Sequence, residues 1–408
     1  MLIKDKKVLL SAGSFIDADG MMYFNSKDYG FFRYNKNTGE INALSVKAEK
    51  GRGAKRAFIG GCKYKDKIIF IPYYASEILV YNISEPENVE RINPALLFKS
   101  SELCYRYYLH AAVCSDLIYF IGEDQSEIIY LDMDKMELSV CSAWKELAAG
   151  NSSDQKNIGL HTYDLCVVNQ ILWAPVNHKN HILELDLRTR EARIHKVDVP
   201  DMQFVTICFD GINFWLTGEK RQIIIWNSNM EVTDIIEEFP DHFREDLEWW
   251  DNYFVRSLYE KGYVYLFPMN ANMALKINVR TKEMDVFYQW DEMICCEAVK
   301  KWDENAFYLE WKKKGSLEMD NSMIIDLDGN VIDTGIFTIE GDKIEWSDCE
   351  GEYELYLENY VVTLEKFLKN RVCRDNENHA VLYENSGEKI YSEGKQNRAD
   401  QDFEKKGS

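Results

Sequence analysis

A short apolar run with an aromatic third residue recurs seven times along the chain: Tyr23, Phe70, Tyr119, Trp173, Trp215, Tyr265 and Tyr308. The runs read MMYF, IIFIP, LIYFI, ILWAP, NFWLT, YVYLF and AFYLE, and successive aromatics lie 47, 49, 54, 42, 50 and 43 residues apart. Self-similarity at such a period, in segments rich in β-branched and aromatic residues, is the signature of a stacked-sheet repeat in which no unit buries its own apolar face alone.

A second column keeps step with the first. About 12 or 13 residues after the aromatic, an apolar strand ends in Asn or Asp: Asn35, Asn82, Asp132, Asp186, Asn227, Asn278 and, after an apparent insertion over 312–321, Asp328. These side chains bond their own backbone two residues on and tolerate left-handed conformations, so they open tight turns. Each unit therefore reads as strand, tight turn, aromatic strand, loop, strand ending in Asn or Asp, tight turn, strand. Four strands in each of seven units predict an all-β chain, a seven-bladed β-propeller of four-stranded antiparallel blades over residues 1–340.

Beyond 340 the pattern stops. Residues 341–392 are expected to form an extension with one helix at about 360–372, where YVVTLEKFLKNRV has helical apolar spacing and basic residues near its end. Residues 393–408 are polar, without apolar periodicity, and are expected to be a disordered tail. Lys7–Leu10 is a candidate for closing the ring against the seventh unit.

The net charge of −21 disfavours nucleic acid and anionic membranes as partners, since both need Lys/Arg footprints. The N-terminal apolar run is too short for a signal peptide, and no stretch reaches the length of a membrane-spanning helix. Cys62, Cys114, Cys166 and Cys208 fall two to four residues before the first turn of their units, where they read as small buried hydrophobes and not as a disulfide framework. These features predict a reduced, cytoplasmic protein without membrane insertion, and the usage of Lys, Ile, Asn and Tyr suggests a low-GC bacterium.

The tight turns of all units share one face of the disc, so the long connections gather on the other: 91–105, 141–159, 237–252 and, within the seventh unit, 312–321. Insertions on one face mark the binding face of a repeat protein. The first residues of the inner strands should ring the channel there: Arg56, Arg106, His110, His161, Asp164, Thr206, Arg256 and Glu297. Three arginines suit a carboxylate or phosphate group, although these charges can equally pair with each other across the channel. His110, His161, Asp164 and Glu297 lack the local spacing of a metal site, and the three-residue gap between His178 and His181 in the loop VNHKNH is common by chance. No metal or other cofactor is expected. Trp249 and Trp250, adjacent in the acidic loop EDLEWWDNYF, could stack on a sugar ring, hold a cation or anchor a protein partner, or could pack into the sixth unit.

The run Phe58-Ile59-Gly60-Gly61, followed by IIFIPY, resembles the Gly-Gly strand of Kelch-like bacterial propellers. The strands around Trp173 and Trp215 are similar to those of streptogramin-lyase-like propellers, a resemblance that implies a channel histidine beside magnesium. No catalytic residue of that family carries over onto this sequence. The leading expectation is a non-catalytic binding or scaffold propeller that takes a protein or glycan on its long-loop face. The alternative is a lyase or hydrolase acting on an anionic or carbohydrate ligand at the channel mouth.

Overall fold

A computed structural model of the chain describes residues 7–10, 14–26, 30–44, 46, 58–73, 75, 77–97, 108–122, 128–141, 143–144, 159–160, 164–176, 180–200, 202–245, 252–314 and 321–340. All of them fall in one compact unit, Lys4–Cys349. The expected helix at 360–372 and the tail lie outside the described residues.

Five four-stranded antiparallel sheets follow one another over residues 16–43, 58–92, 108–141, 166–196 and 204–236, each with its strands in chain order. A seven-stranded sheet occupies 254–334, and a two-stranded ribbon joins Lys7–Leu9 to Thr338–Glu340. The large sheet turns on one long strand, Met284–Lys301. Its first half pairs with Ala271–Asn278, and its second half, from Ile294, pairs with Ala306–Lys313. Lys7–Leu9 does pair with a segment that follows the seventh repeat, but in a ribbon of its own and not by adding a strand to that repeat's sheet.

The first strands of successive sheets lie beside one another, as Phe58–Tyr64 does with Tyr108–Cys114 and Phe204–Phe209 with Phe254–Glu260. These are the inner strands. Apolar clusters fill the seams between consecutive repeats, such as Trp173 and Ile182 against Phe214, Leu216 and Trp226. One seam joins the last repeat to the first, where Tyr308 and Ile324 meet Met22, Phe24 and Phe32. Alternation along each strand gives both faces of a sheet a seam to fill, which is why the second and third strands are apolar almost throughout.

Six of the seven aromatics occupy one register position, two residues into the second strand, and all seven are buried. The exception is Phe70. In that repeat Ile69 holds the shared position, opposite Cys62, and Phe70 faces the other seam with Tyr23 and Phe31. The turn column holds in all seven repeats with one correction. Asn35, Asn82, Asp132, Asp186, Asn227 and Asn278 each accept backbone N–H bonds from residues two to four further on. In the last repeat the acceptor is Asp326, which ends its strand and takes the N–H groups of Asp328 and Asn330. Asp328 sits inside the turn. The Gly-Gly pair has a local cause: Gly60 has φ +64° within a bulge, and a Cβ on Gly61 would lie 2.2 Å from the Ile69 carbonyl oxygen.

Candidate functional site

Inner strands carry their second-strand hydrogen bonds on one edge only, leaving the other edge toward the middle of the ring. Asp164 exploits that free edge. It precedes the inner strand Cys166–Val168 and reaches Phe254–Glu260, two repeats further on. Its Oδ2 accepts from Ser257 N at 2.8 Å and from Ser257 Oγ at 2.7 Å, and its Oδ1 accepts from Arg256 Nη1 at 2.8 Å and Leu165 N at 3.1 Å. The Asp164 side chain is 3% exposed and that of Arg256 is 20% exposed. Burial pushes the Asp164 carboxyl upward, while Arg256 and the Ser257 donors pull it back. All four partners can donate, so the carboxylate is the form that they satisfy.

Arg256 is aimed by a bulge between Phe254 and Arg256, and a similar irregularity precedes His110 and Thr206. A bulge near the strand start redirects the next side chain, which makes these positions variable in direction between repeats. Thr206 turns into the core and shares a 2.7 Å hydrogen bond with Thr217. Glu297 is the bulge residue of its strand and forms an ion pair with Lys312 on the next strand. His110 is half-buried on Tyr108–Cys114.

A cavity of about 620 Å³ lies along four inner strands. Its walls include Leu165, Val168, Ile207, Leu258 and Val299, and its polar groups include Asp164, Arg256, Ser257, Lys300 and Lys301. The buried end is Asp164 with Ser257 and Arg256; the exposed end is Asn169, Gly211 and Tyr259. Asn169 and Gly211 belong to tight turns that follow inner strands. Among the described residues, then, the cavity reaches outward on the tight-turn side, opposite to the face expected for the site. The structure brings Asp164 and Arg256 together in it. His110 and Glu297 are not among its lining residues, and Arg56, Arg106, His161, Trp249 and Trp250 lie outside the described residues. No group of three His, Cys, Asp or Glu side chains among the described residues is placed to hold a metal ion.

Lys300 is the residue that sequence reasoning missed. Opposite the third residue of each second strand stand Ile16, Cys62, Ala112, Cys166, Cys208, Leu258 and Lys300. Six are apolar and one is a lysine. Once register is known, this column exposes it; in AVKKWDE alone nothing distinguishes Lys300 from its neighbour. Lys301 pairs with Glu260 at 2.6 Å, whereas Lys300 has no hydrogen-bond or ion-pair partner among the described residues. It is half-buried. Enclosure by the surrounding strands, reinforced by the Arg256 charge and opposed by Asp164, pulls its pKa down to about 8. The thiols of Cys166 and Cys208 in the same cavity are pushed well up by burial and stay protonated.

No family model and no curated protein matches the sequence. Solved structures do match its coordinates. The computationally designed Ika8 protein aligns with a TM-score of 0.50 at 8% identity, over 81% of this chain and 88% of its own. A catalytically inactive variant of virginiamycin B lyase from Staphylococcus aureus, solved with quinupristin, aligns with a TM-score of 0.52 at 11% identity, over 75% of this chain and 95% of its own. BamB from Moraxella catarrhalis gives 0.47 at 11% identity, over 73% and 83%. Likeness at this level of identity extends to the fold alone. With the radial order of sheets and the closing seam, the likeness to the first two gives the chain a β-propeller fold.

Proposed function

We propose that the protein is a non-catalytic binding propeller that holds a small anionic ligand in the cavity along its inner strands. The observation that carries this reading is Lys300, a cation without a partner among the described residues in an otherwise apolar column, with Arg256 in the same lining giving, among those residues, only one of its N–H groups to Asp164. A guanidinium has five such donors, so Arg256 retains several for a carboxylate or phosphate. The apolar walls suit a ligand with a hydrophobic body, and the volume is in the range of small-molecule sites. Binding is favoured over lyase or hydrolase chemistry because Asp164 is committed to four donors and His110 is not in the lining.

The direct test is calorimetric titration of benzoate against benzamide, its neutral counterpart. Benzoate is expected to bind at least about tenfold more tightly, a difference that Lys300→Met reduces while Arg256 keeps the remainder, since a charge-assisted hydrogen bond contributes about 1.5–3 kcal/mol. Equal binding of the two, or binding of neither, would refute an anion site.

We read the long strand Met284–Lys301 as two blade strands run together, the outer strand of one blade and the inner strand of the next. Its change of partner near Ile294 supports this, and it brings the count to seven four-stranded blades. A second binding surface, for a protein or glycan, is proposed on the connection 237–252. Asn272 Oδ1 accepts from Arg244 N at 2.8 Å, Asn272 Nδ2 donates to the His242 carbonyl at 3.2 Å, and Asn270 Nδ2 donates to the Asn252 carbonyl at 3.0 Å. These buried amides tie down both flanks of the segment that carries Trp249 and Trp250. Replacing both tryptophans by Ala should then abolish capture of a partner that co-purifies with the native chain; undiminished capture would rule this surface out.

A further inference from the structure

Building on the anion-site reading, we propose that Lys300 is an amine nucleophile that forms a reversible imine with a small aldehyde or keto acid, whose carboxylate Arg256 holds. The fold does not require a lysine at this position, because six other repeats fill it with Ile, Cys, Ala or Leu. A lysine stem can lie along an apolar wall, but its ammonium is costly where no counter-ion meets it. Other lysines on inner strands are neutralised: Lys301 by Glu260 at 2.6 Å and Lys63 by Asp19 at 2.7 Å. Lys300 alone among these faces the cavity without an ion pair. The single carboxylate of the cavity lining among the described residues, Asp164, is bound by Arg256, Ser257 and Leu165, so it does not quench the amine.

The chemistry balances without a further reagent. The Nζ lone pair attacks the carbonyl carbon, a proton passes from nitrogen to the former carbonyl oxygen, and the carbinolamine loses one water to leave C=N. The attacking amine must be neutral. With a pKa of about 8, roughly half of the Lys300 population is neutral at pH 8, against about one in three hundred for an ordinary lysine. The protonated thiols of Cys166 and Cys208 do not compete for the carbonyl. Apolar walls slow hydrolysis by limiting water around the imine.

The experiment uses the full-length protein with 4-carboxybenzaldehyde, which combines a carbonyl, a carboxylate and an apolar ring. Borohydride reduction followed by peptide mapping reads the adduct. The expected result is one dominant adduct on Lys300, at least about tenfold above any other lysine at pH 8. Benzoate should compete with it, its rate should rise with pH through about 8, and it should be absent in Lys300→Met. Lys300→Arg keeps the charge and should restore benzoate binding without labelling. If benzoate binds and competes but labelling is spread evenly over surface lysines in both wild type and Lys300→Met, the imine is refuted and the anion site stands. If neither compound binds, the anion site falls and the imine with it.

Discussion

Lys300 costs the fold stability, and the cost has a definite pH signature. Its folded pKa of about 8 lies below the usual lysine value, so between about pH 8 and 10.5 the unfolded chain binds more protons than the native one. Stability attributable to this group therefore rises with pH across that window and is lowest below pH 8. The full shift corresponds to at most about 3 kcal/mol, reduced by the solvent that reaches its tip. Lys300→Met should raise the melting temperature at pH 7, and its advantage over wild type should shrink toward pH 10.5; paired thermal melts at the two pH values check this. A variant less stable than wild type at pH 7 would mean that the ammonium has a partner. Asp164 shows the opposite economy. Removing it with Asp164→Ala leaves Arg256 and the Ser257 amide unmet in a buried site, and is expected to cost about 3–5 kcal/mol in denaturant unfolding. Both Asp164 and Arg256 were visible in the sequence as inner-strand polar residues. Their pairing was not, because it spans two repeats and depends on a bulge that no local pattern announces.

At the scale of the element, the turn that ends each third strand depends on one side chain. Asp326→Ala should cost about 1–2 kcal/mol, because the N–H groups of Asp328 and Asn330 lose their acceptor. Asp328→Ala should change stability by less than about 0.5 kcal/mol, since its ion pair with Lys276 is solvent-exposed. Chemical denaturation of the two variants side by side separates the structural assignment from the one that spacing suggested. Gly61→Ala is a sharper case. Its Cβ would meet the Ile69 carbonyl at 2.2 Å and Ile16 Cδ1 at 2.6 Å, which forces a backbone shift worth about 1–3 kcal/mol. The repeat was legible because alternation and turn chemistry recur with a fixed phase. Single-residue errors survived at Phe70 and Asp326 because a strand of continuous apolar residues, buried on both faces, gives no cue to which residue faces which seam.

Across the whole molecule, stability rests on closing the ring. The closing seam packs Phe337 among Phe24, Tyr34 and Tyr308, with ring centroids 4.5, 5.1 and 5.1 Å away. Phe337 is 1% exposed and sits at φ +61°, a conformation that a bulky residue adopts only where its surroundings impose it. Leu10, at the end of the N-terminal strand, donates its N–H to the Phe337 carbonyl at 2.9 Å. Phe337→Ala should cost about 3–5 kcal/mol, seen as a lowered denaturation midpoint. The same ring architecture converges inner strands from several repeats on one cavity, so a residue that is anomalous in its own column ends up facing that cavity. For that reason the proposed function turns on Lys300 being an amine without a counter-ion among the described residues. The most direct measurement is the 13Cε chemical shift of Lys300 followed against pH in the full-length protein, assigned by its loss in Lys300→Met. A midpoint near 8 is expected. A midpoint at or above the ordinary lysine value of about 10.4 would contradict it, since it would reveal a charge partner and remove both the free cation and the reactive amine.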